Sequence, residues 1–160
     1  MNALFSDEPI LELPKKSVFL AGPTSRDNNF NTSWRKEALA MFEKAGFNGT
    51  VCIPEFSNMR TFTEEDWDKQ VKWEWTLLDN ADCILFWVPR DMNGMPGLTT
   101  NLEFGTYLAE RPDNVILAYP TWASHTEWMT IRYRMKTGRE PFLDLEDAVH
   151  AAITMCNRRN

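Results

Sequence analysis

Three short segments carry residue types that can do chemistry. In Gln70-Val-Lys-Trp-Glu74 an amide and a carboxylate stand four residues apart. With Trp67, Leu77 and Ala81 they fall on one helical face, from which Trp73 and Trp75 point away. A polar pair inside an apolar stripe needs partners, because burying it unpaired is costly. The same spacing also fits a boundary stripe whose polar members reach solvent. In Thr99-Thr100-Asn101-Leu102-Glu103-Phe104-Gly105 a second carboxylate lies near the start of a helical pattern. Thr100-x-x-Glu103 fits a capping box, which is purely structural. Glu103 and Glu74 are nevertheless expected to project toward one strand edge, and two carboxylates at one site are the equipment of glycosyl transfer. One attacks the anomeric carbon, and the other protonates or orients the leaving group. A place near a helix N-terminus predicts that Glu103 stays ionised, as a nucleophile must. The third segment, Gly22-Pro23-Thr24-Ser25-Arg26, follows a strand pattern, and Gly22 lets a ligand approach the backbone closely. It has neither Walker spacing nor GxGxxG, so it does not signal phosphate binding and reads equally as a strand-ending turn.

The elements that must hold these segments alternate along the chain. Apolar runs at 17–21, 50–53, 82–88 and 114–119 read as strands. Helical patterns cover 31–45, 63–80, 100–110, 126–136 and 145–157; Gly46 closes the first, and Thr63-Glu-Glu-Asp66 opens the second with a hydroxyl and an acidic first turn. Strands that are apolar on both faces and alternate with helices predict a parallel sheet covered on both sides. Such sheets bind ligands at the carboxyl ends of their strands, and all three segments fall at that edge.

Composition narrows the function. The chain has 160 residues, 43% of them apolar, 25% charged and 12% aromatic. These values predict one domain over 1–160 with a sizeable core, its first sixteen residues forming an N-terminal arm, and exclude a disordered chain. Seventeen basic residues face 23 acidic ones, for a net charge of −6, and no Lys/Arg run exceeds two. Nucleic-acid binding needs concentrated positive charge, so a small soluble ligand is expected. No apolar run approaches the roughly 20 residues of a membrane span, and the start of the chain, with Asp7, Glu8 and Glu12, has no basic leader. Cys52, Cys83 and Cys156 lack CxxC spacing and read as structural thiols in a reducing compartment. His125 and His150 lack metal-ligand spacing. A cytoplasmic, membrane-free and metal-free protein is the expectation.

The ordered set Phe19-Leu-Ala-Gly-Pro23, Gln70-x-x-x-Glu74, Ala81-Asp-x-Ile-Leu-Phe-Trp87 and Thr100-Asn-Leu-Glu-Phe-Gly105 resembles the nucleoside 2-deoxyribosyltransferase family. The resemblance runs over about residues 17–120. It implies an α/β, flavodoxin-like three-layer sandwich with a central parallel sheet of about five strands. It implies exchange of purine or pyrimidine bases on 2'-deoxyribonucleosides through a covalent deoxyribosyl-glutamate, with retention and without cofactor or metal. The substrates would be nucleosides and free nucleobases. The family's nucleophile falls on Glu103, and its helix-borne aspartate, which works on the leaving base, falls on Glu74, one methylene longer. Substrate binding would fall to Ala21, Gly22 and Pro23, to Glu55 and Asn58 in the 54–58 loop where family members contact the base, and to Gln70 and Asn101.

This sequence departs from the family at two places. The aspartate six residues before the nucleophile is Gly97 here, which moves recognition of the sugar hydroxyls to Asn101 or Asp91. The aromatic residues of the first loop are replaced by Pro23 and Thr24. Because the family builds its sites at subunit contacts, a homo-oligomer is expected, with His125 or Trp128 reaching into a neighbour's site. Trp122, Trp128, Met129 and Tyr133 are a heavy aromatic load for a late segment; they could equally cover the protein's own sheet. Two other functions stay open. One is an N-glycoside hydrolase of nucleosides or nucleoside 5'-monophosphates, with Thr24-Ser25-Arg26 as a phosphate site. The other is a non-catalytic nucleoside- or nucleotide-binding module.

Overall fold

The computed structural model describes residues 1–25, 29–58 and 63–159. Its sheet is built from β1 (Asn2–Phe5), β2 (Ser17–Ala21), β3 (Thr50–Ile53), β4 (Cys83–Trp87) and β5 (Val115–Ala118). Among the described residues these five strands lie in the order β1-β3-β2-β4-β5, and every pairing is parallel. The pleat sends successive side chains to opposite faces. Val18, Leu20, Val51, Ile53, Leu85 and Ala118 meet Ala38 and Phe42 of α1 (Trp34–Lys44), and Ala148, Val149 and Ala152 of α5 (Leu145–Arg159). Phe19, Cys52, Ile84, Phe86 and Leu117 face the other way. They meet α2 (Glu64–Asn80), α3 (Leu98–Glu110) and α4 (Glu127–Thr137) through Trp73, Leu77, Leu78, Phe104, Tyr107, Leu108, Met129 and Tyr133. The result is the flavodoxin-like three-layer arrangement, with every residue of β2, β4 and β5 buried.

Strands β2 and β3 fall at the expected residues, and β4 and β5 are one residue shorter at each end than their apolar runs. The first helix begins at Trp34, after a 3₁₀ turn at Phe30–Thr32, because the Ser33 hydroxyl caps it by accepting from the Arg35 amide at 3.1 Å. At the start of α2 the Thr63 amide and hydroxyl both donate to the Asp66 carboxylate, at 2.8 and 2.9 Å. Trp73 corrects the expected face of this helix. It is buried against Phe19, and its indole donates to the Glu8 carbonyl at 3.1 Å, so the apolar stripe is wider than Gln70, Glu74, Leu77 and Ala81 alone.

β1 lies within the segment read as an arm. It adds an edge strand beside β3, with Ala3 opposite Val51 and Leu4 opposite Cys52. One exposed and three half-buried residues leave no period for a sequence reading to detect. All three cysteines are buried and none is in a disulfide, and burial pushes the Cys52 thiol up to about 12. Among the described residues no helix is long and apolar enough to cross a membrane.

The order of strands also creates the crevice. The helix after β2 packs on one face, while those after β3 and β4 pack on the other, so the chain leaves β2 and β4 on opposite sides of the sheet. A gap opens at their carboxyl ends, where ligands bind in such folds.

Candidate active site

A cleft of about 310 Å³ occupies that gap. Its walls are Ala21, Gly22, Pro23 and Thr24 after β2, Pro54 after β3, Glu74 from α2, and Pro96, Gly97, Leu98, Thr99 and Glu103 around the start of α3. Both carboxylates that the sequence singled out therefore face one small space. A larger groove, about 690 Å³, lies near the start of β5 among Tyr133, Arg139 and Phe142, and neither carboxylate reaches it.

Gly22 is required by a close approach. At φ 146° its backbone runs so near β4 that a Cβ would stand 2.0 Å from the Trp87 carbonyl oxygen. The loop after it is held by Arg35, which is buried under the cleft. Its Nε donates to the Leu20 carbonyl at 2.9 Å, and its Nη2 to the Gly22 carbonyl at 2.7 Å. Its Nη1 reaches Thr24 Oγ1 at 3.1 Å and Glu55 Oε1 at 2.8 Å. Ser33 Oγ donates to the same Glu55 oxygen at 2.8 Å, and Trp34 Nε1 donates to the Pro23 carbonyl at 3.0 Å. Sequence reasoning missed Arg35. The signal was present: Arg35 shares the buried stripe of α1 with Ala38 and Phe42, and a charge in an apolar stripe must have a purpose.

Glu74 accepts a hydrogen bond from Gln70 Nε2 at 2.6 Å, and the same amide nitrogen reaches the Pro54 carbonyl at 3.3 Å. Burial raises the Glu74 pKa, against the opposing pull of the Gln70 hydrogen bond and the Arg35 charge. Glu103 is pushed up to about 8, first by desolvation and then by the negative charge of Glu74, with Arg35 opposing. The expectation that a helix N-terminus keeps Glu103 ionised does not hold. Helix α3 starts at Leu98, with Gly97 as its cap, so Glu103 stands in the second turn, beyond the reach of the terminal partial charge. The capping-box reading falls for the same reason, since Thr100 lies inside the helix and is buried.

Gly97 holds φ 60°, and a Cβ there would press on Pro23 and on Thr100 Oγ1 at 3.1 and 3.2 Å. An aspartate here would have to push Pro23 back by a few tenths of an ångström and hold a strained positive φ. Neither residue expected to replace it faces this cleft. Asn101 accepts from Arg90 Nη2 on the far side of α3, and Asp91 closes its own turn by accepting from the Asn93 and Gly94 amides at 3.1 Å each.

The other expected site residues divide in two. Glu55 and Gln70 line a second compartment of about 330 Å³ with Ser6, Thr24, Pro54, Phe56, Trp67 and Glu74. It joins the first through Thr24, Pro54 and Glu74. Asn58 stands outside both spaces, exposed and donating to Ser57 Oγ at 3.1 Å. His125 and Trp128 line a groove of about 450 Å³ between α3 and α4, with Arg90, Asn101, Phe104 and Leu108. Arg26, expected at a phosphate site, lies outside the described residues.

A parallel three-layer fold with two half-buried carboxylates facing one cleft at its strand ends places the protein in the α/β class. Residues 15–121, about two thirds of the chain, match the family described as nucleoside 2-deoxyribosyltransferase like, and the chain belongs to that family. No curated protein matches it.

Proposed function

We propose that the protein is an enzyme that exchanges purine or pyrimidine bases on 2'-deoxyribonucleosides by two displacements at Glu103. The observation that carries this reading is the convergence of Glu74 and Glu103 on one cleft, close enough that the charge of one raises the pKa of the other. The Glu103 carboxylate attacks C1', and the C1'–N bond breaks with its electron pair passing to the base nitrogen. Glu74 supplies the proton that makes the base a good leaving group. The incoming base then attacks C1', returns a proton to Glu74 and releases Glu103, so that two inversions give net retention. The test is incubation with deoxyinosine, with and without adenine. Exchange yields deoxyadenosine and hypoxanthine only when adenine is present; a hydrolase releases hypoxanthine without it, and a binding module releases none.

Two like charges in a desolvated cleft are costly, so near neutral pH the pair holds one proton. The reactive arrangement has that proton on Glu74, and positive charge developing at C1' favours Glu103 as the carboxylate. Activity should therefore fall on the alkaline side, near the value of about 8 to which Glu103 is raised, as the pair loses its proton. It should fall on the acidic side as both groups become protonated. Profiles of kcat/KM against pH measure both limbs, which belong to the pair. Glu74→Gln removes the like charge, flattens the alkaline limb and slows transfer from poor leaving bases far more than from a donor with an activated leaving group. Equal slowing with both donors would leave Glu74 as a positioning group.

The protein forms a homo-oligomer in this reading, with the α3–α4 groove at the contact. The late aromatic residues split in a way that supports it. Met129 and Tyr133 are buried in the chain's own core, whereas Trp122 and Trp128 stand 62% and 81% exposed, with Ile131 and Met135 of α4 also exposed. Light scattering should give a multiple of the 18.6 kDa chain mass, and Trp128→Ala should shift it toward the monomer. A fully active monomer at assay concentration would end this idea.

A further inference from the structure

We propose that the compartment beside Glu74 is a base subsite that selects nucleobases carrying an exocyclic amino group over their oxo counterparts. For the class of ligand it rests on the transfer reading; for the selectivity it rests on the side chains themselves.

Among the described residues, three buried oxygens have no hydrogen-bond partner: Ser6 Oγ, Glu55 Oε2 and Gln70 Oε1. All three residues line this one compartment. A buried polar atom left unpaired is uncommon and costly, so three around one space point to a ligand that completes them. Glu55 is only 3% exposed. Its other oxygen is taken by Arg35 and Ser33, which leaves Oε2 without a partner among the described residues, on a side chain that lines the space.

The chemistry of the free atoms is one-sided. A carboxylate oxygen and an amide oxygen can only accept, and the Ser6 hydroxyl can do either. The orientation of the Gln70 amide is held by its neighbours, because the Pro54 carbonyl can only accept and so faces Nε2. The ligand must therefore bring donors. The walls suit a flat ring, since Phe56, which is buried, lines the space together with Pro54 and Trp67. Adenine and cytosine present an amino group where hypoxanthine and uracil present a carbonyl oxygen. The oxo bases would turn an acceptor toward acceptors, which is the kind of mismatch that sites use to reject a near-isostere.

The experiment is equilibrium binding of the four free bases to the wild-type protein, which needs no turnover. Cytosine should bind at least about tenfold tighter than uracil, and adenine at least about tenfold tighter than hypoxanthine. Gln70→Met keeps the length of the side chain without its acceptor and should bring each ratio down to about twofold or less. Ser6→Ala, whose site lies apart from the Arg35 strut, should lower the ratios by a smaller factor. Equal affinity for amino and oxo bases, preference for the oxo bases, or no measurable binding of any base would each overturn the proposal. The exchange assay separates this from the transfer reading. Selective binding without exchange keeps the subsite and removes the reaction, and exchange without base selectivity does the reverse.

Discussion

Glu103→Ala is expected to lower base exchange by several powers of ten, because the carboxylate that attacks C1' is lost while Glu74 remains committed to the leaving base. The wild-type protein mixed with a donor and no acceptor should carry one deoxyribosyl group on Glu103 by mass spectrometry, and the variant none. Loss of fold would not explain the result. An acid whose folded pKa is raised from 4.5 to about 8 destabilises the native state increasingly as pH rises between those values, since the unfolded chain ionises first. The wild-type protein should therefore lose stability across that window, on the order of a few kcal/mol at most. Glu103→Gln should be more stable than wild type at pH 8 and little different near pH 4, as read by urea unfolding at the two values. An inactive variant that gains stability in this way separates catalysis from folding. Near wild-type turnover would return Glu103 to a structural role.

Arg35→Met should destabilise the protein by about 3–5 kcal/mol, the range for breaking a buried ion pair by removing one partner. The Arg35 and Glu55 side chains are 1% and 2% exposed, and Glu55 would be left as a buried, unpaired carboxylate. The Leu20 and Gly22 carbonyls would also lose their donor, which loosens the loop that carries Pro23 onto Gly97. Denaturant unfolding measures the loss. A second readout belongs to the cleft, because Arg35 lowers the pKa of both Glu74 and Glu103. Without it the alkaline limb of the pH profile should move upward. Adding Glu55→Leu should recover part of the stability, since an apolar pair can replace a buried ion pair at little cost, while leaving the limb displaced. A change of less than about 1 kcal/mol in the single variant, the scale of a surface pair, would show that the strut is unimportant.

Glu74 and Glu103 were visible in the sequence because each breaks a local pattern. A carboxylate among Leu77 and Ala81, and another early in the helix that follows a strand apolar on both faces, are anomalies that need no knowledge of the fold. The strands at 17–21 and 50–53 were legible for a related reason: a parallel sheet covered on both sides imposes a continuous apolar run. Everything that depends on a partner far along the chain was not. Arg35 acquires its role only from Glu55 and the Gly22 carbonyl, and Ser6 only from the Gln70 and Glu55 it meets across the second compartment. Helix α3 starts at Leu98, with Gly97 and not Thr100 as its cap, where Pro23 packs close by, and it is this shift that moves Glu103 out of the helix's first turn. The ordered residue types by themselves determined the layered parallel fold, the family and the two acidic side chains to which the chemistry is assigned. Tertiary structure alone decided that these two share a desolvated cleft, that Asn101, His125 and Trp128 turn to a different groove, and that Glu103 is held up to about 8. Desolvation and charge coupling are properties of the space between segments, and no single segment encodes them.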